Sequence, residues 1–289
     1  MHKRISEFFI EGCIKLSGFV VIIFVVSIFL FLLKDALSLF AGHSVSDFLF
    51  GKSWLPISEP AKFGVIPLLL GSLYVTIGAI FICVPLGVGS AMFIAEVAPS
   101  HLKHVLKSLV EILAAIPSVV LGFIGIVWLG PYLRNSLNLS TGMCGLTGSL
   151  LLAFMALPTV ISISEDAIVG VPKAFKEAAF GLGATRWQTL WRIVLPSASS
   201  GIIAAIMLGI GRVIGETMVV MMVTGNSPVI PTSLLQPLRT LTATIAGEMG
   251  ETVAGSEHYF ALFAVGLILF IITFIINFIA DACLRRARK

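Results

Sequence analysis

The chain runs to 289 residues, 57% of them apolar and only 12% charged, with a mean hydropathy of +1.05, whereas soluble domains are roughly 45 to 50% apolar and about 25% charged. Too little polar surface is available to clothe a water-facing body, which excludes an ordinary soluble globule; disordered, collagen-like and disulfide-scaffold proteins are excluded as well. The formal charge of +4 reflects where bases fall along the chain and makes no case for nucleic-acid binding.

A helix crossing the hydrocarbon layer needs about 20 largely apolar residues, and six runs of that kind occur in the sequence. The first, Leu16 to Leu33, follows Lys3, Arg4 and Lys15; it is too long for the apolar core of a signal peptide and lacks a small-residue cleavage site, so it is read as a mature span. Residues 34–66 then form an outer loop, where Gly51-Lys52-Ser53 ends like a phosphate-binding P-loop but has Ser46 in place of the required glycine. The second span is Pro67 to Ala95, with Pro85 expected to kink it. A turn carrying His101, Lys103, His104 and Lys107 leads to the third span, Leu109 to Leu129, which includes Pro117; Glu96 and Glu111 flank that turn and are expected to pair with its bases. The fourth span is Gly145 to Ile163 and the fifth Pro196 to Val223. The outer connection Thr224 to Tyr259 carries Leu234, Leu238, Leu241 and Ile245 at helical spacing, which suggests an amphipathic segment, and Phe260 to Ala280 is the sixth span.

Threading six spans divides the 19 Lys and Arg unevenly. Thirteen collect on one side: Lys3, Arg4 and Lys15; Lys103 and Lys107; Lys173, Lys176, Arg186 and Arg192; and Arg285, Arg286, Arg288 and Lys289. By the positive-inside rule both termini are expected to be cytoplasmic. Cys13, Cys83, Cys144 and Cys283 sit singly in or beside apolar runs and are read as membrane-core residues, without metal-ligand spacing.

The longest connection on the basic side, Ser164 to Leu195, begins with Glu165 and Asp166 and continues as Pro172 and then EAAFGLGATRWQTLWRIVLP. Lys173 to Phe180 suits a short helix, Gly181 and Gly183 a left-handed stop, and Thr185 to Val194 a second helical piece. Glu177, Ala178, Ala179, Gly183, Ile193, Leu195 and Pro196 resemble the EAA loop of ABC-importer permeases at all seven fixed positions. That resemblance implies a coupling helix docked in a groove of a separate cytoplasmic ATPase, with Glu177 facing a basic group, Ala178 and Ala179 permitting close approach and Gly183 the bend. The alternative is a solvated amphipathic linker.

The fifth span holds Arg212 and Glu216, and a charge at the bilayer centre costs about 2.5 to 3.5 kcal/mol on insertion scales. Four residues apart on one helix, the two are expected to share a face and form an ion pair. Either the pair merely fixes helix packing, or Arg212 offers its donor fork to an oxyanion while Glu216 holds it when the pathway is empty. Gly201, Ala205 and Gly209 at four-residue spacing, with Gly211 and Gly215 nearby, suggest a closely packed neighbouring helix.

The run GRVIGETMVVMMVTGN, with AAIPSVVLGF (Ala114 to Phe123), ALPTVISISEDAI (Ala156 to Ile168) and LTATIAGEMGE (Leu241 to Glu251), resembles the PstC-type permeases of phosphate ABC importers over roughly Pro67 to Asp281. The resemblance implies an all-α integral membrane protein of type I ABC-importer permease architecture. Its divisions would be a cytoplasmic N-terminus (1–15), a first span with outer loop (16–66), a permease core (67–282) containing the coupling loop 164–195, and a basic tail (283–289). It places phosphate translocation on Arg212, Glu216 and Thr217 and ATPase coupling on Glu177, Ala178, Ala179 and Gly183. No cofactor is implied. The implied partners are a second homologous permease, two cytoplasmic ATPase subunits, an extracytoplasmic phosphate-binding protein and inorganic phosphate, all at a bacterial inner membrane; the chain itself is not expected to be an enzyme. Alternatives are an ion-coupled secondary anion carrier, a permease for sulfate or molybdate, and a membrane partner that senses phosphate supply without moving it.

Overall fold

The computed structural model describes the backbone of residues 2–287 and the side chains of residues 10–282. Lys3, Arg4, Cys283, Arg285, Arg286, Arg288 and Lys289 therefore lie outside the residues whose side chains are described. Helix α1 (His2–Leu39) is followed by α2 (Val45–Phe50) and a hairpin of β1 (Trp54–Leu55) and β2 (Lys62–Phe63), paired antiparallel with Trp54 opposite Phe63. Next come α3 (Ile66–Met92), which ends in a π-helical turn Phe93–Val97, α4 (Ser100–Ala114), α5 (Ser118–Ile124), a π-helical turn Gly125–Leu129 and α6 (Gly130–Ser136). Then follow α7 (Gly145–Val169), α8 (Lys173–Gly181), α9 (Arg186–Thr189), a third π-helical turn Leu190–Val194 and α10 (Leu195–Ile214). The chain closes with α11 (Met218–Val223), α12 (Leu241–Glu248) and α13 (Glu257–Ala287).

Among the described residues, six helical stretches are long and apolar enough to span a bilayer: Ile10–Leu39, Ile66–Val97, Ser118–Ser136, Gly145–Val169, Arg186–Ile214 and Glu257–Ala282. Two of them start or stop well inside the run expected from the sequence. The third span begins at Ser118 and not at Leu109, because Pro117 has no amide hydrogen to donate and disfavours helical backbone at Ile116 before it. Residues 109–114 instead complete α4, a separate amphipathic helix without a buried residue. The fifth span stops at Ile214: Gly215, Glu216 and Thr217 separate α10 from α11. The outer stripe is also divided, since Leu241 and Ile245 lie in α12 whereas Leu234 and Leu238 belong to the irregular segment before it.

The core centres on α3, α7 and α10–α11, where Val75, Ala79, Cys83, Leu152, Val160, Val213, Val220 and Val223 are buried together. In lipid, apolar side chains gain little by facing one another, so helix association depends on close packing. The small-residue stripe of the fifth span supplies that closeness. A Cβ on Gly209 would lie 2.7 Å from Val160 Cγ2, one on Gly201 would collide with Ala167, and Ala205 is fully buried. Gly211 faces open space and Gly215 meets only its own preceding turn. A second cluster joins the end of α1, α2, the hairpin, the start of α3, α12 and α13 through Ala36, Phe48, Trp54, Leu68, Leu241 and Leu262, while Phe29 and Phe31 of α1 meet Phe270 and Phe263 of α13.

Gly71 of α3 lies against the backbone of Arg239, where any Cβ would strike the Arg239 carbonyl. Because rigid backbone must move, Gly71→Ala is expected to destabilise the protein by about 1 to 3 kcal/mol, measured as a lowered melting temperature in detergent. An unchanged melting temperature would show that the segment around Arg239 yields freely.

Candidate functional site

At the break in the fifth span, Arg212 occupies the last turn of α10 and is half-buried. Its Nη1 donates to Thr159 Oγ1 across 3.0 Å. Thr159 lies close to the middle of α7, directly after Pro158, so the guanidinium is held at membrane depth by a neutral hydroxyl. The expected ion pair with Glu216 is not formed. Helix α10 has ended before that residue, and the Glu216 carboxylate accepts the Val219 amide at 3.1 Å, serving the N-terminus of α11. The break also strips the Glu216 carbonyl of its helical donor, and Thr242 Oγ1 replaces it at 2.9 Å. Thr217, the third residue expected here, makes a 3.4 Å hydrogen bond to the Gly215 carbonyl and is half-buried.

Behind Glu216 lies a cavity of about 10 Å³ bordered by Ser72, Thr76, Thr240 and Thr242, room for about one water molecule. The gap thus keeps its irregular backbone satisfied by side chains of other elements, as non-helical backbone inside a membrane requires. Thr224 and Asn226 act as a helix exit: Thr224 is fully buried and bonds the Val220 carbonyl, while Asn226 Nδ2 donates to the Met221 carbonyl at 2.6 Å.

The second group of expected site residues lies in α8 and the turn after it. Glu177 and Ala178 are exposed, and Glu177 makes no hydrogen bond or ion pair among the described residues, whereas Ala179 is buried within this chain. Ala179 thus packs α8 onto its own body, and only Ala178 remains on the outward face. Gly183 has φ +82°, a left-handed conformation suited to glycine; Gly181, expected to share that role, ends α8 instead, and Pro172 precedes the helix without entering its first turn. Thr185 opens α9 with a capping box, its hydroxyl accepting the Gln188 amide while Gln188 accepts the Thr185 amide. From Arg186 the helix runs unbroken through the π-helical turn to Ile214, so one rod of 29 residues joins this loop to Arg212.

Charges fasten α8 and α4 to the spans in a pattern that spacing along the sequence does not announce. Lys176 pairs with Glu96, while Lys103 donates to the Ala95 carbonyl. Lys107 reaches Glu165 at 2.9 Å and Asp166 at 3.3 Å, residues that continue α7 and do not begin the loop. The hydrogen bond that Lys107 donates to Glu165 raises its pKa above 10.5, with desolvation opposing and the charge of Glu165 and the hydrogen bond and charge of Asp166 adding. A raised ammonium pKa contributes stability that is full below about pH 10.5 and lost as pH rises through the higher folded value, so this contact is insensitive to physiological pH. Exposed Phe175, Phe180, Leu182, Trp187 and Trp191 give the same end an apolar surface.

At the opposite end, Glu248 gathers three elements. It pairs with Arg239, accepts Trp54 Nε1 at 3.0 Å and meets His258 Nε2 at 2.8 Å. Its carboxylate is engaged in holding the hairpin, α12 and α13 together.

Residues 84–289 match the model of the family described as binding-protein-dependent transport system inner membrane component. The phosphate transport system permease protein PstC of Mesorhizobium japonicum is 40% identical over 276 residues, covering 87% of this chain and 84% of that one. A probable ABC transporter permease, YqgH of Bacillus subtilis, is also 40% identical, over 252 residues covering 86% of this chain and 82% of that one. Among solved structures, a methionine ABC transporter, MetNI, in an inward-facing conformation aligns with TM-score 0.60 at 20% identity, over 80% of this chain and 99% of that one. A bacterial alginate ABC transporter aligns with TM-score 0.59 at 18% identity, over 81% and 82%. These structures share the fold of this chain.

Proposed function

Because this chain belongs to the family of binding-protein-dependent transport system inner membrane components, we propose that it is the membrane permease subunit of an ATP-driven inorganic phosphate importer. It is a multi-pass inner-membrane protein of type I importer architecture. Phosphate as cargo is supported by the PstC relatives. The observation that carries the chemistry is Arg212, a permanent cation opposite the middle of α7 whose guanidinium is bonded to a threonine and, among the described residues, to no carboxylate. An unneutralised donor fork there is suited to a tetrahedral oxyanion and is costly unless something anionic visits it.

Both termini and the loop of α8 and α9 face the cytoplasm in this reading, as the distribution of bases favours. A second homologous permease completes the pathway, two ATPase subunits bind at α8, and a phosphate-binding protein delivers cargo at the opposite face. ATP hydrolysis belongs to the ATPases. Their closure moves α8, and the rod from Arg186 to Ile214 carries the movement to Arg212, exposing it in turn to the two sides. Glu96–Lys176 makes α8 move with the end of the second span, and Lys107–Glu165 makes α4 move with α7.

The test is purification of the complex in gentle detergent, identification of its co-eluting chains, and reconstitution into vesicles. Phosphate uptake is expected with ATP and the binding protein, and not with an ion gradient alone. Uptake driven by the gradient without ATP would overturn the reading in favour of a secondary carrier, and equal transport of sulfate or molybdate would overturn the choice of cargo.

A further inference from the structure

Thr159 has a hydroxyl that its helix does not use. Ser72, Thr224, Thr244 and Thr273 all donate to the carbonyl four residues earlier in their own helices, the usual fate of a hydroxyl in an apolar helix. Thr159 makes no such bond among the described residues; its Oγ1 accepts from Arg212 Nη1 at 3.0 Å, which leaves the hydroxyl proton uncommitted. Both partners are half-buried, with neither sealed away from the space beside them.

The two side chains are set against each other by backbone packing. Val160, the neighbour of Thr159, fills the space over Gly209, one turn before Arg212, and Ala167 fills the space over Gly201 farther along the same helix pair. Because glycine permits this close approach, α7 and α10 cannot slide past one another without a clash. The distance between the hydroxyl and the guanidinium is therefore set by the helix pair and not by flexible side chains. Glu216, the carboxylate four residues after Arg212, is occupied with the start of α11.

We infer that Thr159 is a substrate-contacting and Arg212-positioning residue: its oxygen accepts from the guanidinium while its proton is donated to an oxygen of the passing oxyanion. A hydroxyl can accept and donate at once, so Thr159 and Arg212 together present one neutral and one charged donor to the same tetrahedral anion. Holding the arginine with a neutral group keeps its charge for the cargo; a carboxylate in the same place would compete with it. This inference rests on the reading of Arg212 as part of the phosphate pathway.

Thr159→Val keeps the shape and removes the hydroxyl, whereas Thr159→Ser keeps the hydroxyl. In vesicles containing the complete complex, with ATP and saturating phosphate-loaded binding protein, Thr159→Val is expected to lower maximal phosphate uptake about tenfold, the value of one hydrogen bond to a charged group. Thr159→Ser is expected to remain within about twofold of the parent. The binding-protein concentration giving half-maximal uptake, the melting temperature and the recovery of co-purified ATPase should be unchanged in both. Arg212→Gln is measured alongside. If Arg212→Gln abolishes uptake and Thr159→Val does not alter it, the inference about Thr159 fails while the pathway reading stands; normal uptake with Arg212→Gln removes the reading beneath it. Failure of Thr159→Ser to restore the rate, or a loss of rate accompanied by an equal loss of assembled complex, shows a packing role and overturns the inference.

Discussion

Arg212→Gln is expected to reduce phosphate uptake at least a hundredfold while leaving the assembled complex intact. Glutamine retains an amide able to hydrogen-bond Thr159, so that contact and the turn of α10 around it are preserved in kind. The packing of α10 on α7 depends on Gly201, Ala205 and Gly209, none of which is altered. What disappears is the positive charge and the second donor of the fork. Hydrogen bonds to charged groups are worth about 1.5 to 3 kcal/mol each, and every 1.4 kcal/mol is a factor of ten, so losing two reaches at least a hundredfold. Uptake of labelled phosphate into ATP-loaded vesicles measures it. Undiminished uptake would remove Arg212 from the pathway.

Glu177→Lys is expected to cause a comparable loss by a different route. Glu177 makes no hydrogen bond or ion pair within this chain among the described residues, and it sits on an exposed face of α8. Substitutions at such positions change the stability of the host chain by less than about 0.5 kcal/mol. The helix itself remains anchored, since Lys176 holds Glu96 and Ala179 is buried. Reversing the charge therefore acts on a partner alone. The expected result is a permease with an unaltered melting temperature that loses tenfold or more of its co-purifying ATPase, and with it ATP-driven uptake. Retention of the ATPase at full yield would instead make α8 a solvated connector. Measured together, the two substitutions separate the functions: one complex assembles and does not transport, the other does not assemble.

The number of spans was legible because each span is a sum over about 20 neighbouring residues, and no distant contact can offset so large an apolar transfer. The loop from Lys173 to Val194 was legible for a related reason, since Gly183 and the Thr185 to Gln188 capping box act within a few residues of one another. The third span was misplaced by nine residues because hydropathy alone joins Leu109–Ala114 to the apolar run after them, while Pro117 dictates otherwise. The fifth span looked continuous because valine and methionine follow Thr217 without a polar interruption. Its break is stable only because Thr242, distant in sequence, satisfies the Glu216 carbonyl.

The same distinction separates the candidate charges. Arg212 and Glu216 stood out in the sequence because any charge in an apolar run is costly, but their pairing was inferred from four-residue spacing, which applies only within an unbroken helix. Nothing near Glu248 in the sequence announces that Trp54 and His258 converge on it. By itself, then, the sequence determined the six-span body, its lopsided distribution of bases, the loop bearing Glu177 and the presence of a buried cation, all of them properties of composition and short-range spacing. The tertiary structure alone decided where the fifth span breaks, that Arg212 bonds Thr159 and not Glu216, and which carboxylates fasten the two ends. Those choices depend on which donors and acceptors from remote segments arrive within about 3 Å once the helices have packed.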